Sequence, residues 1–369
     1  MKKNNIKHFI LMIVIASVFF IGSCGGTNTD KPGFILNVDS LKDHFDGYFM
    51  IGNVVRSDGG ISAKHRHHYN VITAENDMKP DKLNPSRGSY NFSTADRIVR
   101  EAESSNIKVV GHTLLWHSQI PSWHRGVTAE NAKGYMETYI KDVVGHFKGK
   151  IYSWDVLNEV FPDGGFTGNW KTSMRKENPW YNVLGSDFVY YGFLAARQAD
   201  PAAILYYNDY NMNSSGKATM VRDMVRDINA QYLASGDKPA GEAPARLLIE
   251  GIGMQGHHNT GVTAASIKTS LNLFKPLGVK ISISELDVLS QSWNEYSAEA
   301  ALTDDGIARA AQLYSDYFKV FLEFSDIIER VTFWGINDGE SWRARAQPLI
   351  FSGDMAKPSY YKIMEVPLP

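Results

Sequence analysis

Residues 279–288 read Val-Lys-Ile-Ser-Ile-Ser-Glu-Leu-Asp-Val. Apolar β-branched residues alternate with polar ones, the pattern of a strand packed in a sheet. The run ends in two carboxylates, Glu285 and Asp287. Period-two alternation predicts that Ile281, Ile283, Glu285 and Asp287 share one face, with the isoleucines inside a barrel and the carboxylates at its mouth. Similar short runs occur on either side: Tyr48–Val55, Val71–Glu75, Lys108–Trp116, Tyr152–Val156, Ile204–Asn208, Leu247–Met254 and Val331–Ile336. Several of these also end in polar residues.

Helical patterns lie between the runs. Ser93-Thr94-Ala95-Asp96 reads as a capped start to a helix through Ser105. Val221, Met224, Val225 and Ile228 form an apolar stripe, and Gly236 is the expected stop. Ile267, Leu271 and Phe274 form a second stripe, and Ile307, Ala311, Tyr314, Phe318 and Phe321 a third. Strand–helix alternation predicts a parallel sheet. Eight rounds fit a single α/β (β/α)8 TIM barrel, over residues 41–369, better than an open sheet. No internal repeat and no Ser/Pro-rich linker marks a second domain.

The chain has 369 residues, 43% of them hydrophobic, so it can bury a large core. Its formal net charge is −2 and it has no basic run, which argues against nucleic acid as a partner. The only cysteine, Cys24, excludes an internal disulfide and Cys-ligated zinc or iron–sulfur sites. Residues 1–23 read as an export signal. Lys2, Lys3 and Lys7 precede an apolar segment from Phe9 to Ile21 that is short for a bilayer span. Ile21-Gly22-Ser23-Cys24 resembles the bacterial lipoprotein processing box, in which the cysteine is acylated. Cys24 would then begin the mature chain, and residues 24–40 would be a tether that opens with the flexible Gly25–Lys31. The expectation is a monomer exported to the bacterial cell envelope, outer membrane or cell surface, with its lipid as the only membrane attachment, or secreted if the anchor is absent.

In a barrel of this kind, reactive side chains come from the C-terminal ends of strands. Those ends carry Glu75-Asn76 with Lys79; His112, Trp116 and His117; Asn158-Glu159; Asn208-Asp209-Tyr210; Gln255 and His257; Glu285 and Asp287; and Trp334 with Trp342 beyond it. Packing does not explain so many polar residues at the ends of apolar strands. Asn158 and Glu159 are neighbours, so both can face the mouth only if the fourth strand loses regular geometry there. Seven of the eight tryptophans lie at or after strand ends: Trp116, Trp123, Trp170, Trp180, Trp293, Trp334 and Trp342. Apolar faces beside hydrogen-bonding groups suit a sugar ring.

Two motifs point elsewhere. Gly251-Ile252-Gly253-Met254-Gln255-Gly256 matches G-x-G-x-x-G, but no helix pattern follows it, so a dinucleotide site is not expected. His65, His67 and His68 could suggest a metal, but they fall on the first helix pattern and read as a solvated helix face. H-E-x-x-H and G-x-S-x-G are both absent.

VITAENDMKPDKL, GHTLLWHSQIPSW, WDVLNE, YYNDYN, GIGMQGHH, ISISELDV and WGINDGESW resemble, in that order, the strand-end motifs of glycoside hydrolase family 10, the endo-β-1,4-xylanases. The resemblance runs from about Phe45 to Ile363. It implies a retaining hydrolase that cleaves internal bonds of xylan and xylo-oligosaccharides, with Glu159 as acid/base and Glu285 as nucleophile. His257 would hydrogen-bond Glu285, and Asp287 would steer the histidine. Asn158 would bind the 2-hydroxyl of the sugar being cleaved, among Lys79, His112, Trp116, Gln255, Trp334 and Trp342. Glu75, Asn76 and Gln119 would grip the next sugar on the non-reducing side, and Tyr210 would stack on the leaving-group side. A cis peptide between His112 and Thr113 is also implied. The chemistry agrees: a glycosidic bond needs a proton on the departing oxygen and a carboxylate at the anomeric carbon, with no metal or organic cofactor. One glutamate must stay protonated, which partial burial and a neighbouring negative charge favour.

Overall fold

The computed structural model describes residues 33–369. The expected export signal, Cys24 and most of the expected tether lie outside the described residues. Eight strands make the barrel: β1 (Met50–Val55), β2 (Val71–Ala74), β3 (Lys108–Leu115), β4 (Ser153–Asn158), β5 (Ile204–Asp209), β6 (Gly251–Met254), β7 (Lys280–Val288) and β8 (Ile328–Phe333). Each pairs in parallel with its neighbours, and β8 pairs with β1 to close the ring. His257–His258 adds a short parallel pairing at the upper end of β7. Helices fill the intervals between strands, and the β8–β1 pairing leaves no unpaired strand edge in the ring among the described residues.

Several boundaries differ from the sequence reading. β6 starts at Gly251 rather than Leu247, because the side chain of Asn229 takes the backbone of Ile249, accepting from its N–H and donating to its carbonyl. β8 starts earlier than Val331. The charged residues Glu329 and Arg330 lie outside the run read from Val331, but their side chains are almost wholly enclosed in the barrel floor. There the Tyr206 and Tyr152 hydroxyls donate to Glu329 at 2.6 and 2.7 Å, and the Arg330 guanidinium lies over the Tyr206 ring. The helix Ser93–Ser104 begins after Phe92, without a side-chain cap, and the Ser93 hydroxyl turns back to Asn91.

The alternation expected along β7 is broken. Its register against β8 shifts between Ile283 and Leu286. The neighbours Ser284 and Glu285 both reach the amide of Asn208, at 2.5 and 2.7 Å. The isoleucines and the carboxylates therefore do not share one continuous face, as expected where a bulge adds a residue.

Residues 33–40, read as the end of a tether, pack on the barrel. Ile35 is buried, and Phe34 bridges to Met355. The histidines of the helix Ala63–His68 hold this segment. His68 Nε2 donates to the Ile35 carbonyl at 2.6 Å and His67 Nε2 to that of Val38 at 2.8 Å. His65 Nε2 donates to Val54 of β1 at 3.0 Å. His65 and His68 are buried, which corrects the reading of a solvated face. Burial pushes His68 down to about 4, so its ring is neutral and acts as a structural donor.

The G-x-G of β6 also has a packing origin. A Cβ on Gly251 would meet the Tyr206 ring at 2.2 Å, and one on Gly253 would meet Asn208 Oδ1 at 2.2 Å. These glycines make room for side chains of β5.

Candidate active site

Among the described residues, a cleft of about 670 Å³ opens at the C-terminal ends of the strands. Fourteen of the fifteen site residues read from the sequence line it: Glu75, Asn76, Lys79, His112, Trp116, Gln119, Asn158, Glu159, Tyr210, Gln255, His257, Glu285, Trp334 and Trp342. The fifteenth, Asp287, is fully buried behind His257.

Glu159 reaches the cleft through a departure from strand geometry. β4 shifts register against β5 between Asp155 and Leu157, and Glu159 itself has φ of 55°. A left-handed conformation is uncommon for a side chain of this size and needs support from its surroundings. That support comes from two sides. The Glu159 N–H donates to the Asn208 carbonyl at 2.9 Å, and Arg175 Nε donates to the Glu159 carbonyl at 3.2 Å. The kink is what lets the neighbours Asn158 and Glu159 both face the cleft. Gln119 and Asn211, also on its wall, have positive φ as well.

The Glu159 carboxyl accepts from Trp116 Nε1 at 2.9 Å and from Gln255 Nε2 at 3.0 Å. The Asn158 amide lies within hydrogen-bond reach of Glu159, Asn208 and Gln255. Asn208 Nδ2 in turn donates to Glu285 Oε1 at 2.7 Å. Two carboxamides thus link the glutamates of β4 and β7.

Glu285 Oε2 lies 3.1 Å from His257 Nε2, and His257 Nδ1 lies 2.8 Å from Asp287 Oδ2. Burial alone would lower the His257 pKa, but the Asp287 and Glu285 carboxylates push it up to about 9. The ring is an imidazolium at neutral pH. Burial disfavours a charged Glu285, but the His257 and Asn208 hydrogen bonds and the His257 charge hold its carboxyl below the usual value. Asp287 is likewise held low against its burial by His257, Arg343 and Trp342. Trp342 Nε1 donates to Asp287 Oδ2 at 2.9 Å and Arg343 Nη1 to Oδ1 at 3.3 Å.

On one wall, Lys79 Nζ donates to Gln119 Oε1 at 2.7 Å and to Asn76 Oδ1 at 3.0 Å. Burial lowers the Lys79 pKa, while nearby Glu285 and Glu75 oppose that. On the floor, His112 Nδ1 lies 3.0 Å from Asp155 Oδ2, and its ring meets Trp334 edge-on at 5.6 Å. The His112–Thr113 peptide is cis, as the resemblance implies. On the far wall, the Tyr210 hydroxyl accepts from Arg175 at 2.9 Å, and Lys217 Nζ lies 3.7 Å from the centre of its ring.

A charged nucleophile candidate and a second, hydrogen-bonded carboxyl thus meet in a cleft walled by indoles. The pattern of the family described as "Glycosyl hydrolase family 10" matches residues 40–366.

The chain belongs to this family.

Among its relatives, a "Beta-1,4-xylanase" of Dictyoglomus thermophilum is 32% identical over 92% of this chain and 90% of the relative. An "Endo-1,4-beta-xylanase A" of Thermotoga neapolitana is 36% identical over 89% of this chain, but the match spans only 31% of that longer protein. A crystal structure of a GH10 xylanase containing a bacterial Ig-like domain, from termite gut, superposes with a TM-score of 0.86. That match is 46% identical and covers 90% of this chain and 78% of the other.

The tryptophans divide within this family 10 barrel. Trp116, Trp293, Trp334 and Trp342 line the cleft. Trp170 and Trp180 are buried, and Trp123 packs against the core with its ring edge-on to Trp180. Three of the seven strand-end tryptophans are therefore packing residues. Sequence reasoning assigned no role to Arg175, Arg343, Asp155 or Lys217, and it noted Asn208 only as part of a polar cluster. Arg175 sits in a loop without periodicity, so no pattern in the sequence marks it.

Proposed function

We propose that this protein is a retaining endo-β-1,4-xylanase, with Glu285 as nucleophile and Glu159 as acid/base. The observation that carries this reading is the Glu285 carboxylate, kept ionised between the His257 imidazolium and the Asn208 amide and facing the same cleft as Glu159. In the first step, Glu159 gives its proton to the glycosidic oxygen as that bond breaks, and Glu285 bonds to the anomeric carbon. The leaving chain departs with the proton. In the second step, the Glu159 carboxylate takes a proton from water, the hydroxide displaces Glu285, and both glutamates return to their starting states.

The remaining contacts suit sugar binding. Asn158 takes the 2-hydroxyl of the sugar being cleaved, where Lys79, His112, Trp116, Gln255, Trp334 and Trp342 surround it. The Lys79–Asn76–Gln119 group, with Glu75, takes the next sugar. Tyr210, backed by Lys217 and Arg175, offers a ring to the leaving chain. Asp287 orients His257, whose second ring nitrogen faces Glu285.

Reducing-sugar release from xylan, β-mannan and carboxymethyl cellulose tests the substrate. Release chiefly from xylan is expected, and equal or greater release from mannan or the cellulose derivative would overturn it. The proposal includes a monomeric enzyme attached to the bacterial envelope by lipid on Cys24, supported by the Lys-rich start, apolar segment and Ile21-Gly22-Ser23-Cys24 of the sequence.

A further inference from the structure

Two tryptophans on the cleft wall are more than half exposed: Trp342 at 56% and Trp293 at 52%. Half-exposed indoles are unusual on a protein surface, and a pair in one cleft calls for a ligand. Trp342 belongs to the sugar-binding set above, but Trp293 does not. It is the first residue of the short helix Trp293–Ser297, in the loop after β7.

Several contacts hold Trp293 in place. Ser292 and Glu295 form a reciprocal capping box, with Ser292 N donating to Glu295 Oε2 at 2.7 Å, which fixes the turn that presents the indole. The Arg343 guanidinium lies 5.6 Å from the centre of the Trp293 ring and 4.1 Å from that of Trp342. Arg343 is itself 9% exposed and anchored to the buried Asp287. Tyr296 supports Trp293 at 5.7 Å between ring centres. The result is two exposed indoles mounted on one buried cation, continuous with the wall that holds Glu285.

We propose that Trp293 is an additional sugar platform, which stacks on a xylose unit of a β-1,4-linked chain outside the units held at the reacting bond. An indole face matches the CH face of a pyranose without reading its hydroxyls. Such a platform acts on long chains and leaves short ones untouched. Arg343 is its mount and keeps Trp293 in step with Trp342.

This inference rests on the xylan reading, and the test separates the two. kcat/KM is measured on xylo-oligosaccharides of increasing length for the wild-type protein, W293A and W293F. In the wild type, kcat/KM rises with length. W293A loses one step of that rise, about three- to tenfold on the longest substrates, through KM. Its kcat on the shortest substrate cleaved is unchanged, and W293F keeps most of the step. Wild-type length dependence in W293A would overturn the platform, as would an equal loss at every length, which marks a merely structural residue. Failure of the wild-type protein to cleave any xylo-oligosaccharide would overturn the xylan reading and the inference with it.

Discussion

The His257 imidazolium is held against the Glu285 carboxylate, Nε2 to Oε2 at 3.1 Å. The ring carries its charge because Asp287 and Glu285 flank it, and that charge in turn keeps Glu285 ionised despite burial. The charge of the proposed nucleophile, Glu285, is therefore set by a neighbour that itself titrates.

A pH dependence follows. The folded-state pKa of His257 is pushed up from 6.5 to about 9. Its contribution to stability is fully present below about pH 6.5 and is lost as pH rises through about 9. Thermal unfolding from pH 6 to 10 should show a decline in Tm across this window that His257→Gln lacks. An identical pH dependence in the variant would show that the group responsible lies elsewhere.

Glu285→Ala should cut xylan hydrolysis by about a thousandfold or more. Azide should rescue it far more than it stimulates the wild type, yielding a glycosyl azide of inverted configuration. Glu159→Ala should lose about 10²- to 10⁴-fold on xylan. The loss in its first step should be much smaller on aryl glycosides, whose good leaving groups need no proton. Equal losses on both substrates would remove Glu159 from the acid role.

Arg175 joins the backbone of Glu159 to the hydroxyl of Tyr210. Arg175→Ala should lower kcat about 10- to 100-fold, with a smaller change in KM, because the left-handed turn at Glu159 loses a charged hydrogen bond. Arg175→Lys should recover little, since an ammonium cannot make the several contacts of a guanidinium fork. Circular dichroism should show both variants folded. Wild-type kcat in Arg175→Ala would show that the Asn208 contact alone is enough.

Cys24→Ala should leave the barrel folded and active but move it from the membrane fraction to the soluble fraction. Mass spectrometry of the wild-type protein should find Cys24 as the acylated first residue. An unmodified thiol, or a membrane-bound variant, would contradict the lipoprotein reading.

The barrel was legible because its strands are apolar runs that end in polar residues, as in Lys280–Val288 and Ser153–Asn158. The same feature exposed all but one of those fourteen cleft-lining residues, since a strand that ends in Asn-Glu or Glu-Leu-Asp has no packing reason to do so, while Gln119 came only from the family resemblance. What stayed hidden depends on contacts between distant segments. The positive φ of Glu159 is held by Asn208 and Arg175. The bulge at Ser284 and Glu285 is set against β8 and Asn208. Glu329 and Arg330 fell outside the run read from Val331 because the groups that hold them in the barrel floor come from distant segments, among them Tyr152, Tyr206 and Lys280. His68 looked solvated because the segment that covers it, residues 33–40, carries no periodic pattern, and His65 because its partner, the Val54 carbonyl, belongs to β1.

The central claim is that Glu159 and Glu285 act as a retaining pair. Proton NMR of the first products from a xylo-oligosaccharide reads this directly, before mutarotation mixes the anomers. The β anomer of the newly formed reducing end should appear first, and the α anomer should grow in only afterwards. Initial release of the α anomer would mean that water, not Glu285, attacks the anomeric carbon, and the assignment of the two glutamates would fall.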